Sequence, residues 1–309
     1  MSSVGTLVRQ RLADQRDALR LAETAARGGG SSGVHDLRVA MRRIRSVLAT
    51  FRPVFDTSVT EPLRAELKAA SVQLGQSRDA EVAAEITDHL LDDVALPGQD
   101  EDAAVAGLRA RLRLDATAAG DVVDETLDST AYAALIILLD EVVTHPPFTD
   151  AALRDARPVA RKRVRHEGRR FARLAAAARD GSDSDVRGAT GDHGSSPHDD
   201  ADRAARLHEV RKAAKRLRYA AETARPVGGN RMGRIADLSK AVQMALGEHH
   251  DAVMTRATLR HLALDEAVGE AAAFLLGHLD ADEQRAMATL EKHAWHSIDD
   301  LLDEIDVTA

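Results

Sequence analysis

The chain has 309 residues and no cysteine, with 44% hydrophobic and only 3% aromatic residues. A length of this order allows two ordinary domains or one large one, and the absence of cysteine excludes disulfides and thiolate metal sites. The net charge of −8 conceals segregation, because basic residues crowd into three short stretches while residues 79–108 contain neither Lys nor Arg.

Alanine, leucine, arginine and glutamate dominate and β-branched alternation is scarce, so the expected fold class is all-α. Residues 4–27 read as a helix, with Leu7, Leu12, Leu19 and Leu21 apolar and Arg9, Arg16 and Arg20 basic, ended by Gly28-Gly29-Gly30. Residues 34–52 form the next helix, closed by Pro53. Its apolar stripe is Val34, Leu37, Met41, Ile44, Leu48 and Phe51, at steps of three and four. A second stripe, His35, Arg38, Arg42, Arg45 and Arg52, repeats those steps one residue on, about 100° around the axis. Asp36 is the only acid here, so the row cannot neutralise itself within the helix. After a turn at 56–60, Glu61-Pro62 is expected to open a helix running to about Leu91. Gly75 falls inside it. A mid-helix glycine costs about 1 kcal/mol against alanine, so a close approach by a neighbour is expected there. Pro97-Gly98 breaks the chain, and residues 101–145 supply one long or broken helix.

The second half repeats the order. Residues 151–179 read as an Arg-rich helix with Arg161, Arg165, Arg169 and Arg173 on one face, and residues 180–200 as a mobile, polar loop. In the helix at 203–225, His208, Arg211, Lys215, Arg218 and Arg225 stand at the offsets of His35, Arg38, Arg42, Arg45 and Arg52, 173 residues on. Gly228-Gly229 makes a turn, 231–262 a helix, and 265–305 one or two closing helices. Leu74-Gly75-Gln76-Ser77-Arg78-Asp79 and Leu246-Gly247-Glu248-His249-His250-Asp251 form a second matched pair, 172 apart. Two landmarks at nearly one offset identify a tandem duplication, with halves 1–150 and 151–309. Four helices per half suggest two four-helix bundles related by a pseudo-twofold axis, with a single extended helical array as the alternative.

Guanidinium groups hold phosphate oxygens through paired, charge-assisted hydrogen bonds. A row from His35 to Arg45 covers about 15 Å of helix axis, which suits an extended polyanion better than one small phosphate. No Walker loop, dinucleotide-binding glycine pattern or nucleophile elbow occurs, so the chain is expected to hold phosphate without cleaving it, as a non-enzyme. The thirteen histidines raise the question of metal. The nearest clusters are His249-His250-Asp251 and His293 with His296, but adjacent histidines diverge on a helix and no Glu-x-x-His occurs, so no metal or cofactor is expected. The longest apolar run, residues 131–139, is too short to span a bilayer. With no leader-like opening either, the expected location is cytoplasmic.

The stretches 35–45 and 207–219, with Leu-Gly-x-x-Arg-Asp at 74–79, closely resemble the paired signatures of the CHAD (conserved histidine α-helical domain) family. The second Leu-Gly landmark departs from the pattern, with His250 in place of Arg78. The resemblance covers essentially the whole chain. It implies two helical bundles around a basic central pore, binding of inorganic polyphosphate, and placement at polyphosphate granules. It puts ligand contacts at His35, Arg38, Arg42, Arg45, His208, Arg211, Lys215 and Arg218, with Arg161, Arg165 and Arg169 joining them. Arg43 and Arg216, about 100° off the rows, and Arg9 and Arg16 are outlying candidates. Divalent cations could accompany the polymer. The competing readings are a nucleic-acid-binding helical protein, disfavoured by the negative total charge and few aromatics, and a structural granule-coat or partner-binding module. Oligomeric state and preferred polymer length are open at this level.

Overall fold

The computed structural model describes residues 2–28, 31–92, 106, 122–188, 197–264 and 270–306, with backbone alone at 31, 76–92, 181–188, 197–201, 270–272 and 306. The described residues are helical, with no strand beyond two isolated bridges. The long helices are α1 (Val4–Arg27), α2 (Ser31–Thr50), α3 (Thr57–Asp92), α4 (Thr130–Thr144), α5 (Ala156–Gly188), α6 (Pro197–Gly228), α7 (Asn230–Ala263) and α8 (Glu270–Asp306). The expected break at Pro97-Gly98, the helix over 101–121 (bar 106) and the side chains of Arg78 and Asp79 lie outside the described residues.

The chain forms two compact units. An N-terminal unit comprises Val8–Ala152 with Met254–Arg285, and a C-terminal unit comprises Met1–Leu7, Leu153–Val253 and Ala286–Ala309. The first boundary falls beside the expected 150/151 division, but two segments belong to the other unit from the one their position in the chain suggests. The division falls within α7 and α8, each of which contributes residues to both units.

In the N-terminal unit α2 buries the stripe read from its sequence. Leu37, Met41, Ile44, Leu48 and Phe51 are all essentially inaccessible, and α2 packs on α3, which packs on α4. At the α1–α2 crossing a Cβ on Gly33 would stand 2.3 Å from the backbone N of Ala26, so only glycine fits there. The helix after the 56–60 turn begins at Thr57, four residues earlier than Glu61-Pro62 indicates. Asp56 causes this, because its carboxylate accepts from the backbone N of Ser58 at 2.9 Å and from the Ser58 hydroxyl at 2.7 Å. That is an N-cap, and Pro62 consequently sits inside the helix. The 101–145 segment is broken at Ser129, whose hydroxyl accepts from Tyr132 N and caps α4. A bridge between Phe55 and Phe148 closes this unit, with the rings 5.5 Å apart.

The C-terminal unit is built on α5 packed along α6. Phe171, Val210, Ala214, Leu217, Ile298 and Leu301 are at or near zero exposure. Ser3 bridges Asp155, with Val4 N donating to Arg154 O at 2.8 Å. The expected loop at 180–200 is largely replaced by helix, since α5 continues to Gly188 and α6 starts at Pro197. Residues 189–196 lie outside the described residues. Gly229, at φ +68°, makes the tight turn into α7, a conformation only glycine adopts without cost.

Candidate functional site

The row on α2 emerges on the shoulder of the buried stripe, as a one-residue offset requires. His35 is exposed and Arg38, Arg42, Arg43 and Arg45 are half-buried, so their aliphatic stems pack while their charges reach water. The Arg38 head group lies against α3 at Gly75, where a Cβ would stand 2.7 Å from Nη2 and 3.0 Å from Cζ. Arg42 Nε has no hydrogen-bond acceptor among the described residues. On α1, Arg9 is exposed, whereas Arg16 pairs with Asp17 at 2.8 Å and approaches Asp140 of α4 at 3.9 Å. Arg20 also donates to Asp140. The close pair of Arg16 lies within α1, and Arg20 makes the hydrogen bond from α1 to α4.

The row on α6 has the same placement, with His208, Arg211, Lys215 and Arg218 all half-buried. His208 faces His250 of α7, the rings 4.9 Å apart and tilted by 42°. Burial first, then the positive neighbours His250, Lys212 and Arg211, push the His208 pKa below the ordinary histidine value. Arg211 lies beside Gly247, where a Cβ would stand 3.4 Å from Nη2. Asp251 stands close enough to Arg211, His250 and Lys215 for their charges to favour its ionised form, against a burial cost that leaves its pKa raised. Arg218 is bound locally: its Nε donates to Glu222 at 2.8 Å and its Nη1 to Gln243 at 3.2 Å. Its guanidinium also lies 5.8 Å from the Tyr219 ring centroid. Arg216 is exposed, and its charge helps lower the pKa of Glu209, where the Lys212 hydrogen bond is the largest cause.

The third element is α5. A pocket of about 740 Å³ is lined by Arg157, Pro158, Arg161, Lys162, Arg165, His166 and Arg169, all from this helix. The Arg, Lys and His side chains of this lining are all exposed, and none makes an ion pair among the described residues. From Arg157 to Arg169 is about 18 Å of axis. His166 was not among the sequence candidates. It lies four residues after Lys162, a second file beside the 161–165–169 row, and reading the flanking i+1 positions would have found it.

No group of three or more His, Asp or Glu side chains among the described residues could hold a metal ion. No described helix is long and apolar enough to cross a membrane.

A family profile for the CHAD domain matches residues 10–260. The "Uncharacterized protein Rv2226" of Mycobacterium tuberculosis (strain ATCC 25618 / H37Rv) is 31% identical over 83% of this chain and 45% of its own length. The "Uncharacterized protein MT2285" of strain CDC 1551 / Oshkosh matches identically well. The chain thus spans about half the length of the curated relatives it matches. Among solved structures, "PptA from Streptomyces chartreusis" is similar at a TM-score of 0.70 and 23% identity, over 96% of this chain and 99% of that one. The "CHAD domain from the plant Ricinus communis" is similar at 0.70 and 22%, over 96% and 92%. At these identities the structures establish the all-α fold.

Proposed function

From the premise that this chain belongs to the CHAD domain family, a family associated with polyphosphate and triphosphate ligands, we propose that it binds inorganic polyphosphate without chemically altering it. One observation carries this reading: the α5 face presents five exposed Arg and Lys side chains and His166 around one pocket, with no carboxylate paired to any of them among the described residues. Exposed basic rows that served only to hold helices together would be matched by acids, as Arg16 is. Arrays without such partners favour a ligand that brings its own negative charge at short intervals.

In this reading the first-line contacts are His35, Arg38, Arg42 and Arg45 on α2, His208, Arg211 and Lys215 on α6, and Arg161, Arg165 and Arg169 on α5. Arg218 contributes with its charge already shared with Glu222, and Arg9, Arg43 and Arg216 are peripheral. Arg16 is assigned to the α1–α4 contact. The basic pore implied by the family resemblance, placement at polyphosphate granules, and divalent cations bridging excess phosphate belong to the same proposal.

The test is titration calorimetry with long-chain polyphosphate against orthophosphate, ATP and RNA. Polyphosphate is expected to bind most tightly, and equal or tighter RNA binding would replace this function with nucleic-acid recognition. Replacing Arg42 and Lys215 together with alanine is expected to weaken polyphosphate binding by at least about tenfold, the effect of losing charge-assisted contacts, with the fold intact by circular dichroism. Unchanged affinity in that pair removes the α2 and α6 rows from the site. Stoichiometry tests the pore, because two independent polymer sites per chain are incompatible with it.

A further inference from the structure

Each Leu-Gly landmark sets its glycine against one arginine of the neighbouring row, and the two arginines hold matching positions in the duplicated pattern. In the N-terminal unit the atoms nearest a Cβ on Gly75 are Nη2, Cζ and Nε of Arg38, at 2.7, 3.0 and 3.5 Å. In the C-terminal unit the atoms nearest a Cβ on Gly247 are Nη2, Nε and Cζ of Arg211, at 3.4, 3.8 and 4.0 Å. In both places the guanidinium supplies every nearest contact. This is unlike Gly33, where backbone of α1 fills the space, and unlike Gly277, where nothing lies within 4 Å. A mid-helix glycine sacrifices backbone entropy relative to alanine. At 75 and 247 the space it leaves is occupied by the charged end of a side chain and not by a packed helix.

We infer that Gly75 and Gly247 are positioning residues for the polyanion: notches in α3 and α7 that seat the Arg38 and Arg211 head groups in a fixed place along the basic rows. This rests on the polyphosphate-binding reading. A guanidinium confined before the ligand arrives loses less freedom on binding than one sweeping through solvent, and its planar fork is presented in one orientation. The notches differ in depth. At Gly75 an added methyl overlaps the head group, so Arg38 must move. At Gly247 the same methyl reaches only ordinary contact distance, so Arg211 can stay. The landmark's glycine and aspartate then have separate jobs beside Arg211, the glycine making room and Asp251 supplying charge.

The experiment measures long-chain polyphosphate affinity and thermal midpoint on the same variants. Gly75→Ala is expected to weaken binding by about fivefold to tenfold, on the order of one positioned charge-assisted contact, while the midpoint stays level or rises. Gly277→Ala, with open space around it, should leave affinity unchanged. Gly247→Ala should alter affinity by less than about twofold, whereas Gly247→Met, which extends side-chain atoms into the seat, should weaken it by about fivefold. Arg38→Ala should add nothing further in the Gly75→Ala background. Wild-type affinity in Gly75→Ala, or full additivity with Arg38→Ala, overturns the assignment. If Gly75→Ala instead unfolds, the Gly247 pair decides, and equal effects of Ala and Met at 247 overturn it. Absence of binding by the wild-type chain is a different result and removes the polyphosphate reading itself.

Discussion

The surroundings of His208 disfavour its imidazolium form, and an arriving anion favours it. Burial, His250, Lys212 and Arg211 all disfavour the imidazolium, and a bound polyanion opposes the last three. Binding is then linked to proton uptake, so affinity should rise as pH falls from 8 to 6. His208→Gln should flatten part of that rise in calorimetry at the two pH values, and a flat wild-type profile would make the histidines structural. His249 gives the opposite sign for stability. It is 4% exposed, and burial holds its pKa below the ordinary value, helped by Arg203 and His250 and opposed by Glu291. Below the unfolded pKa of about 6.5 the unfolded chain binds more protons than the folded one, so stability present above that pH is lost as pH falls toward the lower folded value. The denaturant midpoint should therefore drop between pH 7.5 and 5.5, and His249→Gln should shrink the drop. An undiminished drop in that variant would place the acid sensitivity elsewhere.

Among the elements, α5 and α8 divide the labour of binding and holding. The Arg and Lys side chains that line the α5 pocket repel one another and make no ion pair among the described residues, so Arg161→Gln, Arg165→Gln and Arg169→Gln together should leave the thermal midpoint level while reducing the salt sensitivity of polyphosphate binding. Fewer neutralised phosphates release fewer counterions. An unchanged salt slope would exclude this face from the contact. On α8, Glu291 accepts from Arg203 Nη2 at 2.6 Å and Nε at 2.9 Å, and from Trp295 Nε1 at 3.0 Å. Arg179 lies over the same indole at 4.6 Å and pairs with Asp299 at 2.7 Å. Glu291→Ala leaves a half-buried guanidinium and indole without their acceptor, at an expected cost of about 1 kcal/mol in urea unfolding. Trp295 is the chain's sole tryptophan, so a shifted emission maximum reports the same change. A variant with native emission and native stability would show the cluster to be decorative.

For the whole molecule, an acidic total charge around concentrated cations makes ligand capture local and steeply dependent on salt. A competition experiment follows from that arrangement. Polyphosphate should displace RNA from the protein at low salt, while RNA should fail to displace polyphosphate, because its phosphates are spaced more widely. Reverse displacement would favour the nucleic-acid reading.

The periodic features were readable in advance. The α2 stripe from Leu37 to Phe51 buries as its spacing indicates, both basic rows emerge on the shoulder of the core, and α1 spans residues 4–27 as expected. Each depends on helix geometry acting over a few residues, which a single sequence records directly. The polar segments around 180 and 200 were harder to read, since few apolar residues mark them and helix propensity alone is weak. The early start of α3 depends on the Asp56 cap, which outweighs the proline signal at Pro62. Only the tertiary structure could decide which cations spend their charge internally. Arg20 meets Asp140 across 120 residues, His208 meets His250 across 42, and Arg38 finds Gly75 across 37. Such pairings depend on which helices pack together and at what depth, and charge and close contact act through space with no trace in local periodicity.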